Sequence, residues 1–149
     1  MKNQTFNEEN FIQMLNDETV LADGDFPATT HYLDTAKYGR LVFIVPLGAV
    51  VDALTFAVYQ DTSATKTANY KAVAGATKTI AGTDDNKFII IEVDESMLDG
   101  DNDFRYVTLA VSGVAGNNYS AMMFIGRHAD KLPVTQSTTL LEAVEVLVD

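Results

Sequence analysis

From Gly39 onward the apolar positions either alternate or form short unbroken runs, which is the pattern of strands rather than helices. "RLVFIVPLGAV", bounded by Gly39 and Gly48, is short enough to be one buried strand. "DALTFAVYQD" alternates, with Leu54, Phe56 and Val58 on one face and Thr55, Ala57 and Tyr59 on the other. "YKAVAGATKTIAG", rich in Ala, Thr and Gly, predicts a weaker strand interrupted at Gly75. After the turn signal "TDDN", the run "KFIIIEV" places Phe88 and Ile90 on one face and Ile89, Ile91 and Val93 on the other. "FRYVTLAVS" and "NYSAMMFIGRH" complete the set, and the "GVAGNN" between them has the Gly/Asn content of a hairpin connection.

Strands at this spacing, with no strong amphipathic helix between them, predict a single all-β domain over residues 31–136, a β-sandwich or jelly roll. The outer face of a two-layer sandwich should be wet, so the apolar residues on both faces of "KFIIIEV" require cover. Either a partner subunit or a terminal segment would supply it. Residues 1–30 set the apolar anchors Phe6, Phe11, Ile12, Leu15, Val20, Leu21 and Phe26 among polar residues without sustained alternation. They are expected to form an extended N-terminal arm that binds a partner, with the sandwich able to fold without residues 2–22. Residues 137–149, "STTLLEAVEVLVD", are open to two readings: Thr139 and Glu142 fit a helix capping box, and the valines favour a strand.

Composition narrows the function classes. At 149 residues the chain suits one domain, and without cysteine it has no disulfide, thiolate metal site or cysteine nucleophile. Twenty-one acidic residues against ten basic ones give a formal net charge of −11, which opposes binding to nucleic-acid phosphates. No apolar run is long enough for a membrane span. The polar, acidic start differs from a signal peptide, so the chain is expected to be made and used without export.

Candidate chemistry is sparse. Asp99, Asp101 and Asp103 alternate like the first ligands of a calcium loop. Counted from Asp99, the positions that need a glycine and a bidentate Glu hold Phe104 and Ala110, so a structural turn is expected and no metal. His31 and His128 stand alone, and no G-x-S-x-G motif occurs. Paired carboxylates for glycoside cleavage would arise by chance among so many acids, and nothing converges on catalysis or a cofactor. Arg105 and Tyr106 open a strand on opposite faces: Tyr106 packs inward with Arg105 paired to a nearby Asp, or Arg105 serves a subunit contact.

Three stretches carry a likeness. "LDTAKYGRLVFIVPLGAVVDALTFAVYQD", "FIIIEVDESMLDGDNDFRYVTLAVSG" and "NYSAMMFIGRHADKLPVTQ" follow one another between residues 33 and 136. In this order they resemble the head-decoration, or capsid cement, proteins of tailed bacteriophages. The resemblance implies a β-sandwich on the outer capsid surface, assembled as a homotrimer and clamping subunits of the major capsid protein. The candidate capsid or subunit contacts are then Phe6, Phe11, Ile12, Leu15 and Phe26 of the arm, Ile89 and Ile91 of the apolar strand, and Arg105. The rival classes are a carbohydrate-binding or adhesion sandwich, whose sites expose rows of aromatics, and a hydrolase. Tyr32, Tyr38, Tyr59, Tyr70, Tyr106 and Tyr119 are scattered along the chain, and there is no Trp.

Overall fold

The computed structural model describes residues 6–16, 20–27 and 32–129. A single helical turn, α1 (Phe6–Glu9), leads into nine strands: β1 (Phe11–Asn16), β2 (Gly24–Phe26), β3 (Leu33–Asp34), β4 (Tyr38–Pro46), β5 (Thr55–Asp61), β6 (Lys71–Thr79), β7 (Phe88–Asp94), β8 (Tyr106–Ser112) and β9 (Met122–Ala129). One sheet has the order β1-β9-β4-β7, and the other the order β2-β8-β5-β6, with β3 also against β8. Every pairing is antiparallel. With β2 and β3 counted as one broken strand, the first strand pairs with the last, the second with the next to last, and so on inward to β5 with β6. That nesting is the jelly-roll form of the all-β sandwich.

Alternation drives the assembly. Leu41, Phe43 and Val45 of β4, Phe56 and Val58 of β5, Val107 and Leu109 of β8, and Met122 and Phe124 of β9 meet between the layers, almost wholly removed from solvent. At the β1 end the core closes with rings: Phe11 stacks on Tyr38 at 5.6 Å between centroids, and both approach Phe124 at 6.3 Å. Tyr38 lies directly on Gly126, where an added Cβ would come within 2.7 Å of its ring, so this position must lack a side chain.

Two expectations change. "GVAGNN" is no hairpin, because β8 and β9 lie in different sheets and the segment crosses between them. The buried Asn118 directs that crossing: its Oδ1 accepts from Val51 N at 2.8 Å and Asp52 N at 3.1 Å, and its Nδ2 donates to Asp52 Oδ2 at 2.6 Å. Asp52 in turn accepts from Ala115 N and Gly116 N. These bonds fasten the crossing to the bend before β5, a long-range demand that no local turn propensity reveals. Nor is the described part of the expected arm separate from the sandwich. β1 forms one edge of its sheet through Phe11↔Gly126, Ile12↔Ile125 and Met14↔Met123, and β2 pairs with β8 through Phe26↔Leu109. Phe11, Leu15 and Phe26 pack against the core, because the sandwich lacks a strand on that side without them. Residues 1–5 and the segment 137–149 lie outside the described residues, as does His31.

Candidate interaction surface

The two outer faces of the sandwich differ in chemistry. On the β1-β9-β4-β7 sheet, registration sets four apolar residues in a line straight across all four strands: Met14↔Met123↔Ile44↔Ile90. The neighbouring line is Ile12↔Ile125↔Val42↔Glu92, and Phe88 stands opposite Pro46 beyond Ile90. Directly opposed side chains in adjacent strands touch, so the apolar residues of the two lines adjoin across the sheet, with Val42 buried among them and Glu92 ending the second line in a charge. Phe88 is 72% exposed, Ile90 63% and Met14 47%, whereas Met123 and Ile44 between them are half-buried. The surface ends at Arg40, whose guanidinium lies 3.8 Å from Glu92 and 3.5 Å from Asp94 across the β4–β7 pair, with the exposed Arg127 opposite it on β9. A broad apolar centre with a charged border is the anatomy of a protein-binding surface.

The other sheet carries small and polar residues outward, in the lines Thr79↔Thr55↔Ser112 and Thr77↔Ala57↔Ala110↔Asp25. Its chain also folds back over it. The Asp25 side chain, only 6% exposed, accepts from Tyr32 Oη at 2.8 Å, Tyr70 Oη at 2.5 Å and Lys66 Nζ at 3.0 Å. Burial pushes this carboxyl up, but the two phenol hydrogen bonds and the Lys66 ammonium outweigh it and hold the group below the usual carboxylate range. The same burial and the facing carboxylate push Tyr32 and Tyr70 well above an ordinary phenol. Tyr59 stacks flat on Tyr70 at 4.4 Å, and Lys66 Nζ sits 3.8 Å from the Tyr70 ring centre. The fully buried Asp61 closes the loop leading to Tyr70, accepting from Thr62 N and Thr67 N at 2.7 Å each and from Thr67 Oγ1 at 2.6 Å. Three of the tyrosines that look scattered in the sequence therefore meet. Their hydroxyls and ring faces bind one another and Asp25, which makes the cluster a clasp for the 62–70 loop. A pairing signal for this cluster would require knowledge of strand register, and local sequence supplies none.

Ile12 lies on the apolar outer face, and Phe6, 59% exposed, sits on α1 beside it in the chain. Ile89 and Ile91 alternate inward and are buried in the core, so neither is available to a partner in this structure; the exposed positions of the strand are Phe88 and Ile90. Sequence alternation separated these two pairs correctly, and the outward pair is the one that meets solvent. Arg105 Nη2 donates to Asp34 Oδ2 at 2.9 Å, and its guanidinium lies 5.0 Å from the Tyr106 ring. It is held to its own chain, away from the apolar surface.

The acidic segment forms a 3-10 turn, Gly100–Asn102, ended by Asp103 in the left-handed region at φ 61°. The buried Gln60 accepts from Asp99 N at 2.9 Å, Asn102 Nδ2 donates to Asp99 Oδ1 at 2.8 Å, and Lys71 pairs with Asp99 Oδ2 while lying over the Phe104 ring. These contacts engage Asp99 within the turn. Asp101 and Asp103 share no cluster of metal-ligating residues with it among the described residues.

No protein family matches the chain, and no curated protein does. Among solved structures it is similar to the K3 adhesin domain of Lys-gingipain from Porphyromonas gingivalis, with 17% identity and a TM-score of 0.43 over 64% of this chain and 60% of that one. The K1 adhesin domain of the same protein matches with 15% identity and a TM-score of 0.42, over 66% of this chain and 60% of that one. The chain thus spans about three fifths of the adhesin domains it matches. The coat protein of Tobacco streak virus matches over 90% of this chain and 95% of its own, with 12% identity and a TM-score of 0.35. At such identities and scores these likenesses assign no function.

Proposed function

We propose that this chain is a virion structural protein, a decoration or cement protein of a tailed bacteriophage, that sits on the outer capsid surface as a homotrimer. In this reading it stabilises contacts between major capsid subunits and has no catalytic role. The observation that carries it is the line Met14↔Met123↔Ile44↔Ile90 on a sheet face whose margins expose Met14, Ile90 and, beyond it, Phe88. Each large apolar side chain buried on a partner contributes ~1.5–3 kcal/mol, before the cost of association is subtracted. Four in a line, with Phe88 beyond them, make a docking face of useful strength on a rigid sheet. The resemblance of residues 33–136 to capsid cement proteins supplies the partner, and the net charge of −11 keeps such a protein off the packaged DNA. The adhesion alternative would need a platform of accessible rings, whereas Tyr59, Tyr70 and Tyr32 engage one another and Asp25.

The test is co-sedimentation with heads of the parent phage that lack this protein. The unaltered chain is expected to bind, and the double variant Met14→Glu, Ile44→Glu is expected to bind at least about a hundredfold more weakly, from the loss of two apolar contacts and the burial of two charges. Its circular dichroism should be unchanged. Heads that fail to bind the unaltered chain, or that bind the double variant equally well, overturn the reading.

A further inference from the structure

Four strands form the edges of the two sheets, and three of them carry a device that discourages pairing. β1 has an irregular register between Met14 and Asn16. β2 is only three residues long. β6 shifts its register against β5 and bears Lys71 and Lys78. β7 has none of these: its seven residues, "FIIIEVD", pair in unbroken register with β4 and contain no proline, glycine or lysine. Two hydrogen bonds at the end of β4 fix which way the backbone groups of β7 point. Leu47 N donates to Lys87 O at 2.8 Å, and Ala121 N donates to Pro46 O at 3.3 Å. Leu47 and Lys87 therefore continue the β4–β7 register as a bonded pair, while Pro46 bonds on the β9 side. Bonded and non-bonded pairs alternate along an antiparallel ladder, so Ile89, Ile91 and Val93 bond to β4. The N–H and C=O groups of Phe88, Ile90 and Glu92 point the other way, along the outer margin of the sheet. Phe88 and Ile90 are also the two most exposed large apolar side chains among the described residues. A groove of about 410 Å³ separates β7 from β6, lined by Thr77 and Lys78 on one side and by Phe88 to Glu92 on the other, so the second sheet does not close off this margin.

We propose that this margin of β7 binds the same margin of a second copy of the chain, as an antiparallel two-fold pair centred on Ile90, joining the two sheets into one. The margin is complementary to itself in that register, as a two-fold contact requires. Ile90 meets the partner's Ile90, Phe88 meets the partner's Glu92, and every outward N–H and C=O from Phe88 to Glu92 finds a bonded pair. Each Phe88 ring also reaches the partner's Ile90 on the diagonal, so the exposed apolar pair of one copy covers that of the other. Charge runs in the same sense. Lys78 lies at the Phe88 end of the strand, where its charge acts on the Asp84 carboxylate, and it makes no ion pair among the described residues. At the other end Glu92 and Asp94 share a single cation, Arg40. Antiparallel pairing brings the surplus cation of each copy toward the surplus acid of the other, whereas parallel pairing would set like beside like. A strand of other sequence could use the same backbone groups, but a second copy supplies the matching apolar pair and the reversed charge together. The contact is independent of the capsid reading, and where copies also form trimers it would join one trimer to the next.

The absence of cysteine makes disulfide trapping clean. Opposed residues of a bonded antiparallel pair lie about 5.5 Å apart at Cα, within the span of a disulfide. Ile90→Cys, in the full chain without phage heads, is therefore expected to cross-link chain to chain under mild oxidation at least about tenfold faster than Ser112→Cys, an exposed position on the other sheet. In the unsubstituted chain, the amides of Phe88, Ile90 and Glu92 are expected to exchange freely with deuterium when dilute and more slowly as the concentration rises. Those of Ile89 and Ile91, bonded to β4, should stay protected throughout. Equal cross-linking rates at the two positions would overturn the proposal. So would exchange of the three outward amides that ignores concentration: fast exchange leaves the margin open, and slow exchange assigns it to another segment of the same chain.

Discussion

The two outer faces of this jelly roll are treated in opposite ways by their own chain. The β2-β8-β5-β6 sheet turns outward residues that need little cover, Thr55, Ala57, Ala110 and Ser112, and yet it is the face that the chain dresses. The 62–70 loop lies back over it, clasped by Asp25 and Asp61. The β1-β9-β4-β7 sheet turns outward Met14, Met123, Ile44 and Ile90, of which Met14 and Ile90 are exposed. The hydrophobic effect alone would produce the reverse arrangement. One face is thus clasped by its own loop while the other leaves large apolar side chains in solvent, a contrast that apolar content alone does not reveal.

The largest expected effect lies on the dressed face. Asp25→Ala leaves the buried Tyr32, the half-buried Tyr70 and Lys66 without their acceptor and should cost about 2–3 kcal/mol, roughly 5–10 °C in melting temperature. The pH dependence follows from the directions of the shifts. Because the Asp25 carboxyl titrates below its ordinary value in the fold, the unfolded chain takes up the proton first. The contribution of Asp25 is therefore complete above about pH 4 and is lost as the pH falls through the folded value. Tyr32 and Tyr70 titrate above their ordinary value, so theirs is complete below about pH 10 and lost as the pH rises beyond it. In Asp25→Ala both limbs of the stability profile should flatten, and tyrosinate absorbance should appear at lower pH; an unchanged profile would mean that the clasp contributes nothing.

A smaller effect on stability, with a clear one on association, separates the two faces. Ile90→Glu should leave the melting temperature within about 0.5 kcal/mol equivalent, because the residue is exposed, while reducing any self-association seen by sedimentation. Thr55→Glu, on the opposite face, should change neither. Equal responses from the two variants would remove the distinction between the faces. The smallest effect concerns the acidic turn. With Asp99 engaged by Lys71 and Asn102, EDTA should leave the melting temperature within error, and a shift of several degrees restored by calcium would show a cation site there.

Most of the fold was legible where a strand separates an apolar from a polar environment. β4, β5, β7, β8 and β9 all stand where alternation or a bounded apolar run placed them, whereas β6 runs unbroken from Lys71 to Thr79 through the expected interruption at Gly75, and only its register with β5 shifts there. β1 was missed for a physical reason. Phe11 and Leu15 face the core while Ile12 and Met14 face the apolar outer surface, so "FIQMLN" has no polar side to mark its period. At three residues, β2 is too short to show one. The candidate surface was half legible: "KFIIIEV" gave the outward pair Phe88 and Ile90, but the line they extend joins four strands from distant parts of the chain. Alternation reports which face a residue takes, and only the register reports which residues share it.

The nesting of the strands also dictates an order of events in time. The β5–β6 pair closes over a short loop, whereas Asn16 Nδ2 meets Ser120 O across 104 residues of chain. Loop closure of that length must be met before its contacts give anything back, so such topologies fold in milliseconds to seconds rather than microseconds. β1 can engage only after β9 has been synthesised and placed beside β4. On a ribosome β1 is therefore among the last strands of the sandwich to dock, and Phe11, Ile12, Met14 and Leu15 have no place to pack until β9 is made. The polar residues interspersed among them, Asn10, Gln13 and Asn16, keep that waiting segment soluble until its place exists.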